Sequence, residues 1–432
     1  MASTVHPNGV LLRGAADEHP QTLAQPVADK ERIVSIDVLR GCALLGILAM
    51  NIQAFSMIGA AYSNPTTYGD LHGANYAIWL VCHLFFDLKM MSIFSMLFGA
   101  GIFLMTSHVE ASGRPSVALH YRRMGWLILF GLLHGFLLWY GDILYDYGMC
   151  GLLIYLFRKR QPKTLLIIGT LTLAVAPLVL MGFNYSLHYM PPDKQQFNRE
   201  QIWQPTAEEV AKENADYRGG FRTQMHQRVS ETLQMKTLFF VGFSFWREAG
   251  LMLIGIALFK LGVFSAQRPA WVYWAMIAVG ALVGLPIIWH GLQVVIASGW
   301  SFPYGFIVDQ QSNYVGSLFV CFAWVGAIML ACKSVALNPV TRRLAAVGRM
   351  AFSNYIFHTL VCTTLFYGHG LGLFGKVERS GQVGMVLAIW AFQLIVSPIW
   401  LRYFYFGPLE WLWRSLTYWQ VEPFQRPAAA SA

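Results

Sequence analysis

The chain has 432 residues, 56% of them hydrophobic and 12% charged, and 31 lysines and arginines against 22 aspartates and glutamates give it a net charge of +9. Soluble domains carry about 25% charged residues, so the composition excludes an ordinary soluble domain. The basic excess suits an anionic membrane surface, and its spread over short loops argues against nucleic acid as a partner.

Residues 1–32 are polar, contain Pro7, Pro20 and Pro26, and show no helical period, which reads as a disordered cytosolic tail. The first apolar run starts near Ile33, too far in for a signal peptide, so it is expected to be retained. Apolar runs of about 18 residues or more can cross the ~30 Å hydrocarbon core, where only internally bonded backbone is tolerated, so they should be helices. The expected spans are 33–58, 77–107, 124–140, 143–157, 164–183, 237–262, 271–296, 313–332, 351–367 and 384–405. The fold class is therefore all-α, a polytopic integral membrane protein of about ten transmembrane helices. Five spans fall in an N-terminal half, 33–183, and five in a C-terminal half, 237–419, followed by a cytosolic tail, 420–432.

Basic residues cluster in alternate loops: Arg114, Arg122 and Arg123, then Arg158, Lys159, Arg160 and Lys163, then Arg268, then Lys333, Arg342, Arg343 and Arg349. The loops 59–76, 141–142 and 297–312 have none. The positive-inside rule puts the first set, and both termini, in the cytosol of a multi-pass cell-membrane protein. Lys376 and Arg379 are minor exceptions. Residues 184–236 then form an external loop. Within it Thr206-Ala207-Glu208-Glu209 predicts a capping box at the start of a short amphipathic helix. That helix is either a lid on an external cavity or part of a solvated hairpin.

Six cysteines, at 42, 82, 150, 321, 332 and 362, lie in or beside apolar spans without metal-ligand spacing and read as free thiols. No metal site or permanently bound cofactor is expected. Nor is there a phosphate loop, a nucleotide-binding glycine motif or a serine-hydrolase elbow.

Charge inside a membrane is costly, so each such residue needs a partner or a wet cavity. Asp37 and Arg40 share a helix face. They form an interfacial ion pair, or Arg40 grips a phosphate or carboxylate with its two-pronged guanidinium. Asp87 and Lys89 sit in a 31-residue apolar segment, 77–107. As one straight helix it would run ~46 Å, so it tilts, protrudes or breaks near Phe86-Asp87-Leu88-Lys89. Gly99 and Gly101 are expected to allow close helix approach. His134 falls near mid-bilayer, and Asp142 at the next turn. Eight residues of helical rise separate them by ~12 Å, too far for a direct hydrogen bond. His134 is either a proton acceptor or bonded to a neighbouring helix. Arg247 and Glu248 are adjacent, so they should have separate partners. His290, His358 and His369 read as polar residues near span ends, and Trp139, Tyr140, Trp411, Trp413, Tyr418 and Trp419 as an aromatic belt.

Four motifs together resemble the YeiB-like membrane proteins, the family of domain of unknown function 418, over roughly residues 33–419. They are Asp37-Val38-Leu39-Arg40-Gly41 with Asn51; Lys89 with Phe94-Ser95-Met96-Leu97-Phe98-Gly99-Ala100-Gly101; Gly131-Leu132-Leu133-His134-Gly135 with Gly141-Asp142-Ile143-Leu144 and Tyr147-Gly148; and Gly348-Arg349-Met350-Ala351 with Asn354-Tyr355. The ending Phe406-Gly407-Pro408-Leu409-Glu410-Trp411-Leu412-Trp413-Arg414 also fits. The Asp-x-x-Arg-Gly opening is distantly similar to membrane acyltransferases, including the lysosomal heparan glucosaminide acetyltransferase. That likeness implies acyl-coenzyme A as a cytosolic donor and an acceptor reached across the membrane. Those enzymes place a catalytic histidine after the first span. The nearest here is His72, outside the YeiB-like pattern, so both His72 and His134 stay open as the functional histidine.

The resemblance makes His134 and Asp142 catalytic candidates and Asp37, Arg40, Asn51, Lys89, Tyr147, Arg349 and Asn354 substrate-binding candidates. Two functions follow: an acyltransferase, or a transporter or permease for a small organic anion. Either works on a small-molecule substrate among membrane lipids, with the oligomeric state open. Transporters often carry inverted repeats, and none is evident, which favours the enzyme.

Overall fold

A computed structural model describes residues 32–302 and 304–427. The expected N-terminal tail lies outside the described residues except for Arg32. Apart from one isolated bridge, Phe404 to Gln425, the regular structure among the described residues is helical.

The N-terminal half holds α1 (Val34–Ser56), α2 (Ala60–Ser63), α3 (Gly73–Phe85), α4 (Lys89–Ala111), α5 (Val117–Leu137), α6 (Leu144–Ile154) and α7 (Pro162–Leu187). Next come α8 (Pro192–Ile202), α9 (Ala207–Arg218) and α10 (Phe221–Gln234), which continues through a π-helical stretch, Met235–Ser244, into α11 (Phe245–Lys260). α12 (Ala270–Val279) and α13 (Leu285–Ala297) join through a second such stretch, Gly280–Gly284. The chain ends with α14 (Tyr304–Lys333), α15 (Asn338–Arg349), α16 (Ala351–Phe366), α17 (Arg379–Tyr403) and α18 (Pro408–Tyr418).

Seven helical runs are long and apolar enough to cross a membrane: Val34–Ser56, Gly73–Ala111, Pro162–Leu187, Phe221–Lys260, Ala270–Ala297, Tyr304–Lys333 and Arg379–Tyr403. About ten spans were expected, and length and apolarity alone admit seven. The three other expected spans are helical, but α5 carries His120, Arg122 and Arg123, α6 has only 11 residues before a 3₁₀ turn, and α16 has 16. The run containing the sixth span also starts at Phe221, well before the expected 237, so part of the supposed external loop belongs to a 40-residue helix.

The centre and the periphery separate by burial. The most apolar window of α1 is 67% buried, whereas those of α7, of the α12–α13 run and of α17 are each 22% buried. The latter therefore offer apolar faces such as Leu171, Leu282 and Leu387 to lipid. Central α1 packs against α4, α14, α15, α16 and α17.

Glycines set the closest approaches. A Cβ on Gly41 would strike the backbone of Leu344, and one on Gly348 would strike the backbone of Asp37, so α1 and α15 cross backbone to backbone. Gly99 on α4 and Gly255 on α11 do the same against Met252 and Met96. The expectation for Gly99 therefore holds. Gly101 differs, because a Cβ there meets nothing within 4 Å. The 77–107 segment breaks, as one of its three readings had it: Leu88 takes a left-handed φ of 61° between α3 and α4.

These contacts predict that Gly348→Val destabilises the purified protein by about 1–3 kcal/mol or more, the range for overpacking a tight contact. Gly101→Ala should leave it unchanged. Thermal unfolding in detergent checks both; equal melting temperatures for the two variants would refute the α1–α15 crossing.

Candidate functional site: a cavity between two charged rims

One cavity of about 1460 Å³ runs through the helix bundle. Its spine is α1, which contributes Asp37, Arg40, Leu44, Ile47, Asn51 and Ala54 to the lining. Alternating steps of three and four keep one helix stripe facing the cavity, and at 1.5 Å per residue that stripe is ~26 Å long. This is most of a ~30 Å hydrocarbon core.

At one end the lining includes Arg32, Arg40, Arg123, Arg349 and Arg414, with Asp37 and Glu410 as the nearby carboxylates. Asp37 accepts from Arg32 at 2.9–3.1 Å and from Arg40 Nη1 at 2.9 Å. The Glu410 carboxylate is occupied by the start of α16, accepting from the Phe352 and Ser353 backbone N–H groups at 2.6 and 3.1 Å. Arg123 lies over the Trp413 ring at 4.3 Å and Arg414 over Phe406 at 4.4 Å. Arg349 Nη2 donates to the Tyr405 carbonyl at 3.4 Å. Arg40 feels Arg32, Arg123 feels Arg40 and Arg414, and Arg414 feels Arg32, so four guanidiniums repel one another around this rim. Arg414 Nη1 is buried without a hydrogen-bond partner. An anion seated here would satisfy that donor and relieve the repulsion.

The opposite end is lined by Glu200, Glu209, Glu213, Asp216 and Glu231, with Lys212 as the base among them. The predicted capping box is present: Glu209 N–H donates to Thr206 Oγ1 at 3.2 Å and Thr206 N–H to Glu209 Oε2 at 2.8 Å. α9 thus borders the cavity. Burial, with Glu231 adding repulsion, pushes the Glu213 carboxyl up to about 8.

Between the rims, His134 Nδ1 and Asp142 Oδ1 are 2.9 Å apart. The ~12 Å separation assumed a continuous helix. Instead α5 ends at Leu137 and the chain doubles back before α6. Asp142 also accepts from the Leu144 and Tyr145 N–H groups at 3.2 and 2.9 Å and lies 3.3 Å from Lys236 Nζ. Lys236 in turn bonds Asp146 at 2.9 Å. His134 Nε2 meets Thr359 Oγ1 at 2.9 Å. Asp142 lines the cavity, whereas His134 stands behind it, 2% exposed.

The other candidates divide the same way. Asn51, Tyr147 and Arg349 line the cavity with Asp37 and Arg40. The Tyr147 hydroxyl is 2.8 Å from Ser95 Oγ. Lys89 is fully buried off the cavity, donating to the His83 carbonyl and Asn313 Oδ1, both at 2.6 Å. Asn354 also lies off it, bonded to the Val347 carbonyl and Ser397 Oγ at 3.2 Å each. His72 sits at the surface, its side chain 93% exposed and 2.8 Å from Asp70, which those contacts hold below the usual carboxylate range. Arg247 and Glu248 do have separate surroundings: Arg247 bonds Ser92 and Ser317, while Glu248 faces the cavity near the Cys150 thiol, 3.9 Å away.

Sequence reasoning missed Arg123 and Arg414 as partners of Arg40, and Lys236 as the cation beside Asp142. Arg414 stood in a recognised motif, and only the fold brings it to α1. Lys236 fell at the end of the expected external loop, 184–236, so no buried partner was assigned to it.

Residues 258–420 match the family model described as "Protein of unknown function (DUF418)". The chain is 32% identical over 427 residues to the Uncharacterized protein YxaH of Bacillus subtilis (strain 168), covering 93% of this chain and 98% of that one. It is likewise 32% identical over 392 residues to the Uncharacterized protein YeiB of Escherichia coli (strain K12), covering 90% and 96%. An "Uncharacterized 39.9 kDa protein in amylase 3'region" of Bacillus acidopullulyticus is 26% identical over 407 residues, covering 91% and 96%. With both lengths nearly spanned at this identity, the chain belongs to the DUF418 family of YeiB-like membrane proteins.

Proposed function

We propose that this protein transfers an acyl group from a thioester donor at the arginine rim to an acceptor that enters from the acidic rim. The observation that carries this reading is the cavity itself: a basic mouth, a middle with an apolar wall beside buried acidic groups, and an acidic mouth in one continuous space. Acyl-coenzyme A suits the first two. Its phosphates match the surplus guanidiniums of Arg40 and Arg414, and Leu44, Ile47, Phe94 and Phe98 give the acyl chain an apolar wall. In the transfer, the acceptor's hydroxyl or amine attacks the thioester carbonyl. This route needs the Thr359 hydroxyl to leave His134 Nε2 and open that nitrogen to the cavity; the acceptor's proton then passes to Nε2 and on to the departing thiolate. Asp142 on Nδ1 holds the tautomer that leaves Nε2 free to accept.

One observation favours the alternative, a permease for a small organic anion. The break at Leu88 interrupts a membrane helix beside the cavity, a feature of transporters that bind substrate at mid-membrane. Coenzyme A binding by the purified protein separates the two readings.

Arg40→Ala should weaken coenzyme A binding at least about tenfold while the protein stays in the membrane, and Arg40→Lys should restore little of it. Titration calorimetry reads both; wild-type affinity in the alanine variant would reduce Arg40 to a partner of Asp37.

His134→Gln still donates to Asp142 but cannot carry the proton. Turnover should fall at least ~100-fold with donor binding unchanged. Undiminished turnover would remove this route and leave the permease reading in front.

The charge asymmetry of the loops puts the arginine rim and both termini on the cytosolic side of the cell membrane. Reporter fusions after residues 112, 160 and 340 should signal cytosol and one at 200 the exterior. A cytosolic signal at 200 would reverse the roles of the two rims.

A further inference from the structure

We infer that the cavity wall beside the break between α3 and α4 binds an organic ammonium group, held by Asp87, Asp309 and His83. The inference concerns a second ligand site. It does not depend on the donor assigned to the arginine rim.

All three side chains line the cavity. His83 is 6% exposed, and its Nε2 has no hydrogen-bond partner. Asp309 Oδ1 is 3.5 Å from that nitrogen, and Asp87 Oδ2 is 3.7 Å from Nδ1. Both distances exceed the usual 2.7–3.2 Å N–H···O range, so the three groups stand around a gap without closing it. Asp87 has outside support, receiving Asn313 Nδ2 at 2.6 Å. Asp309, 7% exposed, has none closer than His83 among the described residues. Leaving such acceptors unmet in a buried site costs about 1–3 kcal/mol each, more for a charged one.

Acidic side chains outnumber basic ones around the middle of the cavity, which suits a cation. Five carboxylates line the middle of the cavity: Asp87, Asp142, Asp146, Glu248 and Asp309. The buried cations behind them are Lys89, Lys236 and Arg247. Lys89 is turned into the His83 carbonyl and Asn313, and Arg247 into Ser92 and Ser317, so neither fills the gap. A metal ion fits poorly: it needs ligands converging at about 2.0–2.6 Å, and among the described residues no three His, Cys, Asp or Glu side chains do so. An ammonium reaches its acceptors at hydrogen-bond length and presents up to three donors. Neutral His83 offers it the Nε2 lone pair, and the two carboxylates supply the charge.

The surroundings suit an amine attached to an apolar body. Trp79 stacks on His83 with centroids 5.3 Å apart and also lines the cavity, as does Phe306. Aromatic walls favour organic cations over their neutral analogues. The nearer mouth is the acidic rim, whose field concentrates cations at the entrance.

Calorimetry on the full chain in detergent at pH 7 tests this with phenethylamine, and with 2-phenylethanol as the uncharged match. The amine should bind and the alcohol should not. Asp309→Asn should weaken the amine at least about tenfold, the loss of a charge-assisted bond, while the protein elutes as the wild type does. If that variant does not fold, His83→Phe, which keeps a ring and deletes Nε2, should give the same loss. Equal binding of amine and alcohol, wild-type affinity in both variants, or a folded protein that ignores the amine would overturn the inference. The last result would leave the gap to a proton on His83. No thioester takes part, so a negative result here leaves coenzyme A binding at the arginine rim standing, and the reverse also holds.

Discussion

The contact between Gly41 and Gly348 fixes the geometry on which the cavity depends. Neither position has room for a Cβ, so α1 and α15 meet backbone to backbone. That contact places the first turns of α1, with Asp37 and Arg40, beside the end of α15, with Arg349. Two motifs more than 300 residues apart thereby share one rim. It also holds α1 straight through the bundle, where one stripe of its surface lines the cavity from rim to rim. A methyl group at either glycine would push the rims out of register with the spine. The Asp-x-x-Arg-Gly opening thus carries two jobs in five residues: charge for the mouth, and absence of a side chain for the crossing.

Around this spine the polar groups follow the rule of a low-dielectric medium, in which an unpaired charge is costly and a bonded one is tolerated. Asp142 accepts from an imidazole and two backbone N–H groups, with a lysine ammonium alongside. Among the described residues Arg247 has no carboxylate within salt-bridge distance and is instead met by two serine hydroxyls, the Tyr314 carbonyl and the Tyr314 ring, 4.5 Å away. Some of the exceptions line the cavity, among them His83 Nε2 and Arg414 Nη1. Groups left short of partners on a concave surface are where a ligand gains most by binding.

Hydropathy made the all-α membrane architecture legible, since each expected span became helix. The capping box at Thr206 and the break near Leu88 were also readable, because both are local: one is a four-residue pattern, the other a helix too long for its slab. What escaped was set by tertiary structure. Length sets α6 and α16 apart and charge sets α5 apart, and their polar residues are met by neighbouring helices. Helical rise overestimated the distance from His134 to Asp142 because the chain turns back after Leu137. Asn354 and Lys89 matched family motifs, yet they bond within the bundle, whereas Arg123, read only as a loop base, and His83, which drew no notice, line the cavity. A motif marks a residue as needed; only packing reveals whether it holds the wall together or faces what passes inside.

The run from Phe221 to Lys260 has a further consequence. Forty residues of unbroken helix extend ~60 Å, about twice the hydrocarbon thickness. One end of this rod must project clear of the lipid, and the outer portion carries Gln227 and Glu231 on the cavity wall. The cavity wall therefore continues onto a helix longer than the hydrocarbon core is thick. An opening so placed would admit a molecule directly from water rather than through the lipid.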